Sequence, residues 1–434
     1  MTKWAARKES VTLPEFFAGL MHSMLEHATP QQRAMFERLR APVAALGTVA
    51  ADTDPPIWTA DATSIAHDLV RKDLMLDRRT ASTTLLGVVV GVGLLEPLER
   101  WLARATGVEA RPVAGGGMYD IDQIEHAAHL FREWDDTFGG GLRRKAVVGQ
   151  LDEVNDLIGN TGSAAVRQRL LRVLSLLSET AATMSWDSGE QHTAQGYYML
   201  ALRSGREAGE PALCANAIAG MARQMLTLDT IGSVTERAAY RQARAMDSLE
   251  LVRVAQDHFA GDVTPSMHAL LRMREAWSYA VLGRASAFRR AAERAHTEFS
   301  KVDRDQEPSW LGYFDSAEID GTIGGRLLEL ARHQSDCAGE AAETIDRAIA
   351  ARRPNMWRSS SLDRLGSAEA RLIQGEHEEA YRISALALES VAQTNSHRVR
   401  AKVSELYTRA GECGDSPAAA GLRELLGPLV ASPA

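Results

Sequence analysis

The 434-residue chain has few aromatic side chains: Phe, Trp and Tyr make up 6% of it. Sandwiches and barrels lean on aromatic and β-branched residues. Their scarcity, beside abundant Ala, Leu, Arg and Glu, points to helices packed through small side chains. Cysteine is rarer still. Cys214, Cys337 and Cys413 stand far apart with no CxxC spacing, which argues against a disulfide framework or a zinc ribbon and suits a reducing cytosol, so a cytoplasmic location is expected. Long apolar runs are missing too. The longest, Leu85 to Leu95, has eleven residues between Arg78-Arg79 and Glu96, against the ~20 needed to span a bilayer. It reads as a buried helix or core segment, and no membrane partner is expected. Met1 to Ser10 is polar and charged with no apolar core behind it, which speaks against secretion. There is no excess of positive charge: 49 basic and 57 acidic side chains leave a net −8, so any contact with nucleic acid needs a local basic patch.

The motifs of common enzymes are absent as well. The chain has no GxSxG elbow, no GxxxxGK[ST] phosphate loop and no HExxH, and neither catalytic residues nor a cofactor are expected. Gly139-Gly140-Gly141 ahead of Arg143-Arg144-Lys145 has the makings of an anion cradle. No strand precedes it, however, and a flexible turn before a basic helix is the preferred reading. Asp122, His126 and His129 fall at i, i+4 and i+7 on one helix face. True metal sites draw on more than one element, so a solvated face is expected and no metal.

What the chain does contain is helix after helix. Two are expected in the first 46 residues, Leu13 to His27 and Pro30 to about Arg40, the second opened by Thr29-Pro30-Gln31-Gln32. A break at Thr48 to Pro56 follows, then helices over Ser64 to Leu76, Arg78 to Val92 and Glu96 to Ala105. A glycine-rich loop, Gly107 to Tyr119, precedes the remainder. The expected organisation is an N-terminal helical region at 1–56, a helical linker region at 57–118 and a repeat domain at 119–434.

The repeats show as spaced small residues. Gly189-Ala194-Tyr198-Ala201, Gly283-Phe288-Ala292-Ala295 and Gly375-Ala380-Ser384-Ala387 share one frame, each with Ala seven residues before the glycine, at 182, 276 and 368. Such positions let the two antiparallel helices of a tetratricopeptide unit touch. Degenerate copies, Ser248-Val252-Ala255 and Ala341-Ile345-Ala348, fill the gaps, so the last small residue recurs at 201, 255, 295, 348 and 387. The steps alternate between long and short, which places extra length at Ile231 to Arg244 and around Asp303 to Pro308. The expected fold class is therefore all-α: a right-handed α-solenoid of tetratricopeptide-like helical hairpins, preceded by a small helical N-terminal region.

Between about His67 and Leu406 the chain resembles the actinobacterial helix-turn-helix regulators that carry a C-terminal tetratricopeptide array. The likeness rests on His67-Asp68-Leu69 through Met75-Leu76-Asp77-Arg78-Arg79, Leu95-Glu96-Pro97-Leu98, AQGYYMLALRSGREA at 194–208, ALLRMREAWSYAVLG at 269–283, PSWLGYFDSAE at 308–318 and Ala368 to Ala387. Members of that family begin with a compact helical DNA-binding domain. Met1 to Ala50 has no tight turn between two short helices, and Met1 to Ala45 carries six Lys or Arg against four Glu, so the expectation is that the domain is degenerate, or absent, or that the chain starts inside a longer reading frame.

The resemblance implies a regulator of transcription or development. Its repeats are expected to hold a peptide, a small ligand or a protein segment in the groove lined by the first helix of each pair. The alternative is a repeat adaptor that works by protein–protein interaction without touching DNA. An enzyme with a site not visible in sequence is a third reading, and homodimerisation through the N-terminal helices or the last repeat is a further expectation. The candidate groove residues are Asn216, Arg223 and Gln224, then Arg272, Arg274 and Glu275, then Trp310, Tyr313, Phe314, Asp315 and Glu318. Asn suits capture of a peptide unit because it donates and accepts at once. Against this, Trp310 and Phe314 at i, i+4 fit a core pair, and the charges fit surface pairing.

Overall fold

A computed structural model describes residues 58, 60–75, 88–104, 121–138, 144–228, 234–332, 334–394 and 396–431. The chain divides into two compact units, Met1–Pro55 and Pro56–Ala434. The helices expected within residues 1–46 lie outside the described residues, as do 76–87 and the glycine-rich loop at 107–119.

Sixteen α-helices, and no strand, are found among the described residues. We number them α1 (Ala62–Met75), α2 (Val92–Ala103), α3 (Ile121–Phe138), α4 (Arg144–Asn160), α5 (Ala164–Asp187), α6 (Gln191–Glu207), α7 (Pro211–Met225) and α8 (Val234–Phe259). There follow α9 (Pro265–Val281), α10 (Ala285–Phe299), α11 (Ser316–Ala331), α12 (Ala338–Ala351), α13 (Trp357–Gln374), α14 (His377–Ala392), α15 (His397–Gly411) and α16 (Pro417–Ala431). None is long and apolar enough to cross a membrane.

From α5 onward the helices pair into six consecutive hairpins, an all-α solenoid-like arrangement. The glycines of the repeat frame make tight turns: Gly189, Gly283 and Gly375 adopt φ of 82°, 68° and 80°, a left-handed conformation that costs other residues a Cβ clash. The degenerate copies lack that glycine. There α7 leads into the 26-residue α8, and a loop at 300–315 precedes the α11–α12 hairpin. These account for the alternating long and short steps. Helix starts are capped by short polar side chains: Ser163 accepts from Val166 N, Asp315 from Glu318 N and Ser396 from Val399 N. Pro211 and Pro265 open α7 and α9, where a missing N–H is harmless.

Two expectations are corrected in the front part. Residues 88–91 are not helical, and α2 starts at Val92, with Pro97 inside it. The Gln195 amide clamps the extended segment by accepting from Val89 N at 2.8 Å and donating to Val89 O at 2.7 Å. Val89 and Val92 are exposed, so this part of the apolar run is not core. Nor do α1 and α2 form a linker apart from the repeats. Helix α1 packs on α4 and α6, α2 on α8, and Trp58, Leu94, Leu98 and Trp101 share the main hydrophobic cluster of the hairpins.

The core itself is in two main pieces. One runs from Trp58 through the α11–α12 hairpin; the other joins α13 to α16 around Leu365, Leu372, Val403, Leu406 and Leu422. Apolar side chains cross between them, Ala370 of α13 belonging to the first cluster and Ile345 and Leu328 lying beside Gly366, and so do charges. Glu369 on α13, 1% exposed, accepts from Arg332 of α11 at 2.9 and 3.1 Å, from Arg409 of α15 at 3.1 Å and from Lys402.

Candidate binding surface on the inner face of the repeats

Each of the helices α5, α7, α9, α11, α13 and α15 touches the next in that series, which puts the first helix of every hairpin on one face. The turn is closed. At the end of α5, Asp187 Oδ1 accepts from Ser396 Oγ at 2.8 Å, and the guanidinium of Arg398, from α15, lies 4.3 Å from the Trp186 ring.

Helix α3 lies against this face, alongside α5. Among its described side chains Ile121, Ala128 and Asp135 are buried, seven residues apart on one stripe, with Ile124, Phe131 and Trp134 beside it. Charges supply much of the rest. Arg169 of α5 pairs with Asp122 and with Glu125, the latter at 2.9 Å; Arg132 pairs with Glu179 of α5 and sits over the Tyr313 ring at 4.7 Å. Arg358 of α13 reaches Asp135 at 3.4 Å. Burial dominates at Asp135, pushing its carboxyl up to about 7 in spite of Arg358 and Arg132.

Deeper on the same face stand two arginines that make no ion pair among the described residues. Arg223 donates to Tyr198 Oη at 2.7 Å and to Thr183 Oγ1 at 3.2 Å, and stacks on Trp186 at 4.1 Å. Gly220 makes this possible, since a Cβ there would come within 2.3 Å of the Tyr198 ring. Arg274, 8% exposed, has no partner for its side chain among the described residues, and its Nε is buried and unbonded. Burial first, then the neighbouring Arg223, pulls it down to about 10. Burial raises the Tyr313 phenol against the pull of Arg132, Arg274 and Arg223, and its hydroxyl bonds to none of the described residues.

Of the residues expected in the groove, the structure brings Arg223, Arg274, Tyr313 and Glu318 together; Glu318 bonds Arg352 at 2.8 Å and feels Arg358 and Arg398. Asn216 joins them one and two turns along the Gly220–Arg223 face of α7, buried and without a side-chain hydrogen bond among the described residues. The others point elsewhere. Gln224 donates to Gln191 Oε1 at 3.1 Å, tying the end of α7 to the start of α6. Arg272 pairs with Glu275 at 2.8 Å and reaches Gln256 of α8. Trp310 and Phe314 are core residues, the latter edge-on to Phe299, and Asp315 caps α11 and pairs with Arg353.

Sequence reasoning missed Trp186, Asp187, Arg132, Arg358 and Arg398. The available signal was an arginine on each first helix from α7 to α15, at 223, 274, 326, 358 and 398. The Asp122–His126–His129 face meets Arg169 of α5 through Asp122 and Ser309 through His129, and no group of three potential metal ligands converges among the described residues. Residues 139–143 lie outside the described residues, and Arg144 is taken by Asp73 and Glu190. An open depression of about 520 Å³ between α1 and α4, lined by Thr63, His67, Asp68 and Asn155 among others, lies away from the inner face and gathers no unpaired buried charge.

No protein-family model, no curated protein and no solved structure matches the chain.

Proposed function

We propose that the protein is a regulator of transcription or development, not an enzyme, whose inner face binds a peptide, a small ligand or a protein segment. The observation that supports binding is the composition of that face. A surface meant only for packing is apolar; this one holds the arginines Arg223 and Arg274, each with a buried Nε that bonds to none of the described residues, and such groups are stable in a protein interior when something pairs with them. It also holds a helical segment already, since α3 lies along α5 through side-chain ion pairs that an exchangeable ligand can imitate.

The regulatory half of the reading rests on the resemblance of residues 67–406 to helix-turn-helix regulators. It is tested by fluorescence anisotropy of the full chain against random-sequence duplex DNA and duplexes flanking its own gene, at low and at physiological salt. Tight, salt-sensitive binding to one fragment is the expected result. Absence of binding at low salt refutes a DNA role and leaves the adaptor reading, to be pursued by partner capture.

A further inference from the structure

We infer that the depression between α1 and α4, away from the inner face, is a site for a small organic cation carrying two ammonium groups.

The first half of α1 forms one wall, through Thr63, Ser64, His67 and Asp68, and the end of α4 forms the other, from Asn155 and Asp156 to Asn160. Its volume of about 520 Å³ is of the size that takes a small molecule. Asn155 is the residue that calls for a ligand. It lines the depression, is 7% exposed and makes no side-chain hydrogen bond among the described residues, and its Oδ1 is buried without a donor. An amide oxygen left unbonded in an interior is costly, and a donor entering from the depression removes that cost.

The groups around Asn155 accept as well. Thr63 Oγ1 and Ser64 Oγ give their protons to Asp61, at 2.5 and 3.2 Å, which leaves them lone pairs to offer. Asp156 pairs with no cation among the described residues, and Asp68 has beside it the His67 ring, with Nδ1 at 3.9 Å. No lysine or arginine lines the walls; Arg71 and Lys72, a turn farther along α1, take no part in them. The helix ends leave the balance negative. The amides that open α1 already face carboxylates, Ala62 N donating to Glu207 at 3.0 Å and Ser64 N to Asp61 at 2.9 Å, whereas α4 brings the carbonyl end of its dipole.

A bare metal ion does not fit, since no three potential ligands converge among the described residues. Acceptors spread over two walls suit a cation whose N–H donors are also spread out. An ammonium offers three donors and one charge. Asp68 and Asp156 supply one carboxylate from each helix, so a diammonium matches the walls in donors and in charge.

The test is isothermal titration calorimetry of the full chain with putrescine at fixed ionic strength, beside the corresponding diol, magnesium chloride and N-acetyl-lysine amide. Saturable binding of putrescine and none of the diol is expected. Asp68→Asn and Asp156→Asn, both at exposed positions, should each weaken it by about 3- to 10-fold. Asn155→Leu should weaken it as well and melt no lower than the parent chain, because it removes an unbonded amide. Binding of magnesium as tight as of putrescine shows diffuse counter-ion attraction and overturns the site. Binding of the blocked lysine as tight as of putrescine overturns the match of two charges to two carboxylates. Absence of putrescine binding, or an unchanged affinity in Asn155→Leu, overturns the inference outright.

Discussion

Replacing Glu369 by Ala should loosen the last two hairpins without loosening the middle of the chain. The carboxylate accepts four charge-assisted hydrogen bonds from three cations on α11 and α15 and is 1% exposed. Against the pull of burial, Lys402 and Arg332 hold it down to about 2 from 4.5. A shift of that size corresponds to about 3 kcal/mol. Removal of one member of a buried ionic cluster typically costs about 3–5 kcal/mol because the partners are stranded, so the two routes to the magnitude agree. The α13–α16 cluster has its own apolar core, and the ions around Glu369 help tie it to α11 beside the apolar contacts of α13. Hydrogen exchange followed by mass spectrometry should therefore show protection in residues 357–431 falling on the order of 100-fold, with 265–299 unchanged. The sign with pH follows from the same numbers. Glu369 is depressed in the folded state, so its contribution is present above pH 4.5 and lost as pH falls through about 2; the parent chain should show that loss and the variant should not. Uniform loss of protection across the chain, or none, would refute the idea that the Glu369 cluster holds the last two hairpins to the rest.

Three further outcomes are expected. Gly220→Ala places a Cβ into the Tyr198 ring, so it should cost about 1–3 kcal/mol in urea unfolding. Its damage should be local, moving Tyr198 Oη off Arg223; a neutral result would show that the contact relaxes freely. Asp135 is raised to about 7 and Asp363 to about 6, both mainly by burial, so the folded chain holds protons that the unfolded chain has released above pH 4. The melting temperature should accordingly rise as pH is lowered from 8 to 5.5, and Asp135→Asn should flatten the slope; a melting temperature that rises towards pH 8 contradicts the burial of Asp135. Arg398→Ala removes a stacking partner of Trp186, and the fluorescence spectrum of the chain should shift if Arg398 closes the turn.

The hairpins were legible because close helix contact leaves a local trace. Ala182, Gly189, Ala194, Tyr198 and Ala201 are small or aromatic where two helices meet, and Gly189 has to turn left-handed, so spacing alone recovers the unit. Boundaries near Pro97 were not legible. The Glu-Pro pair reads as a helix start, whereas the start is set by Gly91, at φ 60°, whose carbonyl accepts from Leu94 N and Leu95 N. The candidate site was half legible. Arg223 and Arg274 were found because first helices must face inward. Arg272 and Glu275 share α9 with Arg274, yet the choice between facing α8 and facing inward depends on the curvature of the whole array. Helix α3 shows why the remainder was hidden. Its stripe of Ile121, Ala128 and Asp135 announces a partner, and nothing in the order of residues says that the partner is a face assembled from hairpins as distant as α13.

The contact between Asp187 and Ser396 joins residues 209 positions apart, at the first and the sixth hairpin. An array with free ends can lengthen by duplication, each added unit meeting only its neighbour. Here the arithmetic is fixed: with one unit fewer the ends do not meet, and with one more they overshoot. A hairpin inserted or removed between these two residues would have to give up the bond. The number of hairpins behaves like the tooth count of a gear, which can be recut in shape and never in number.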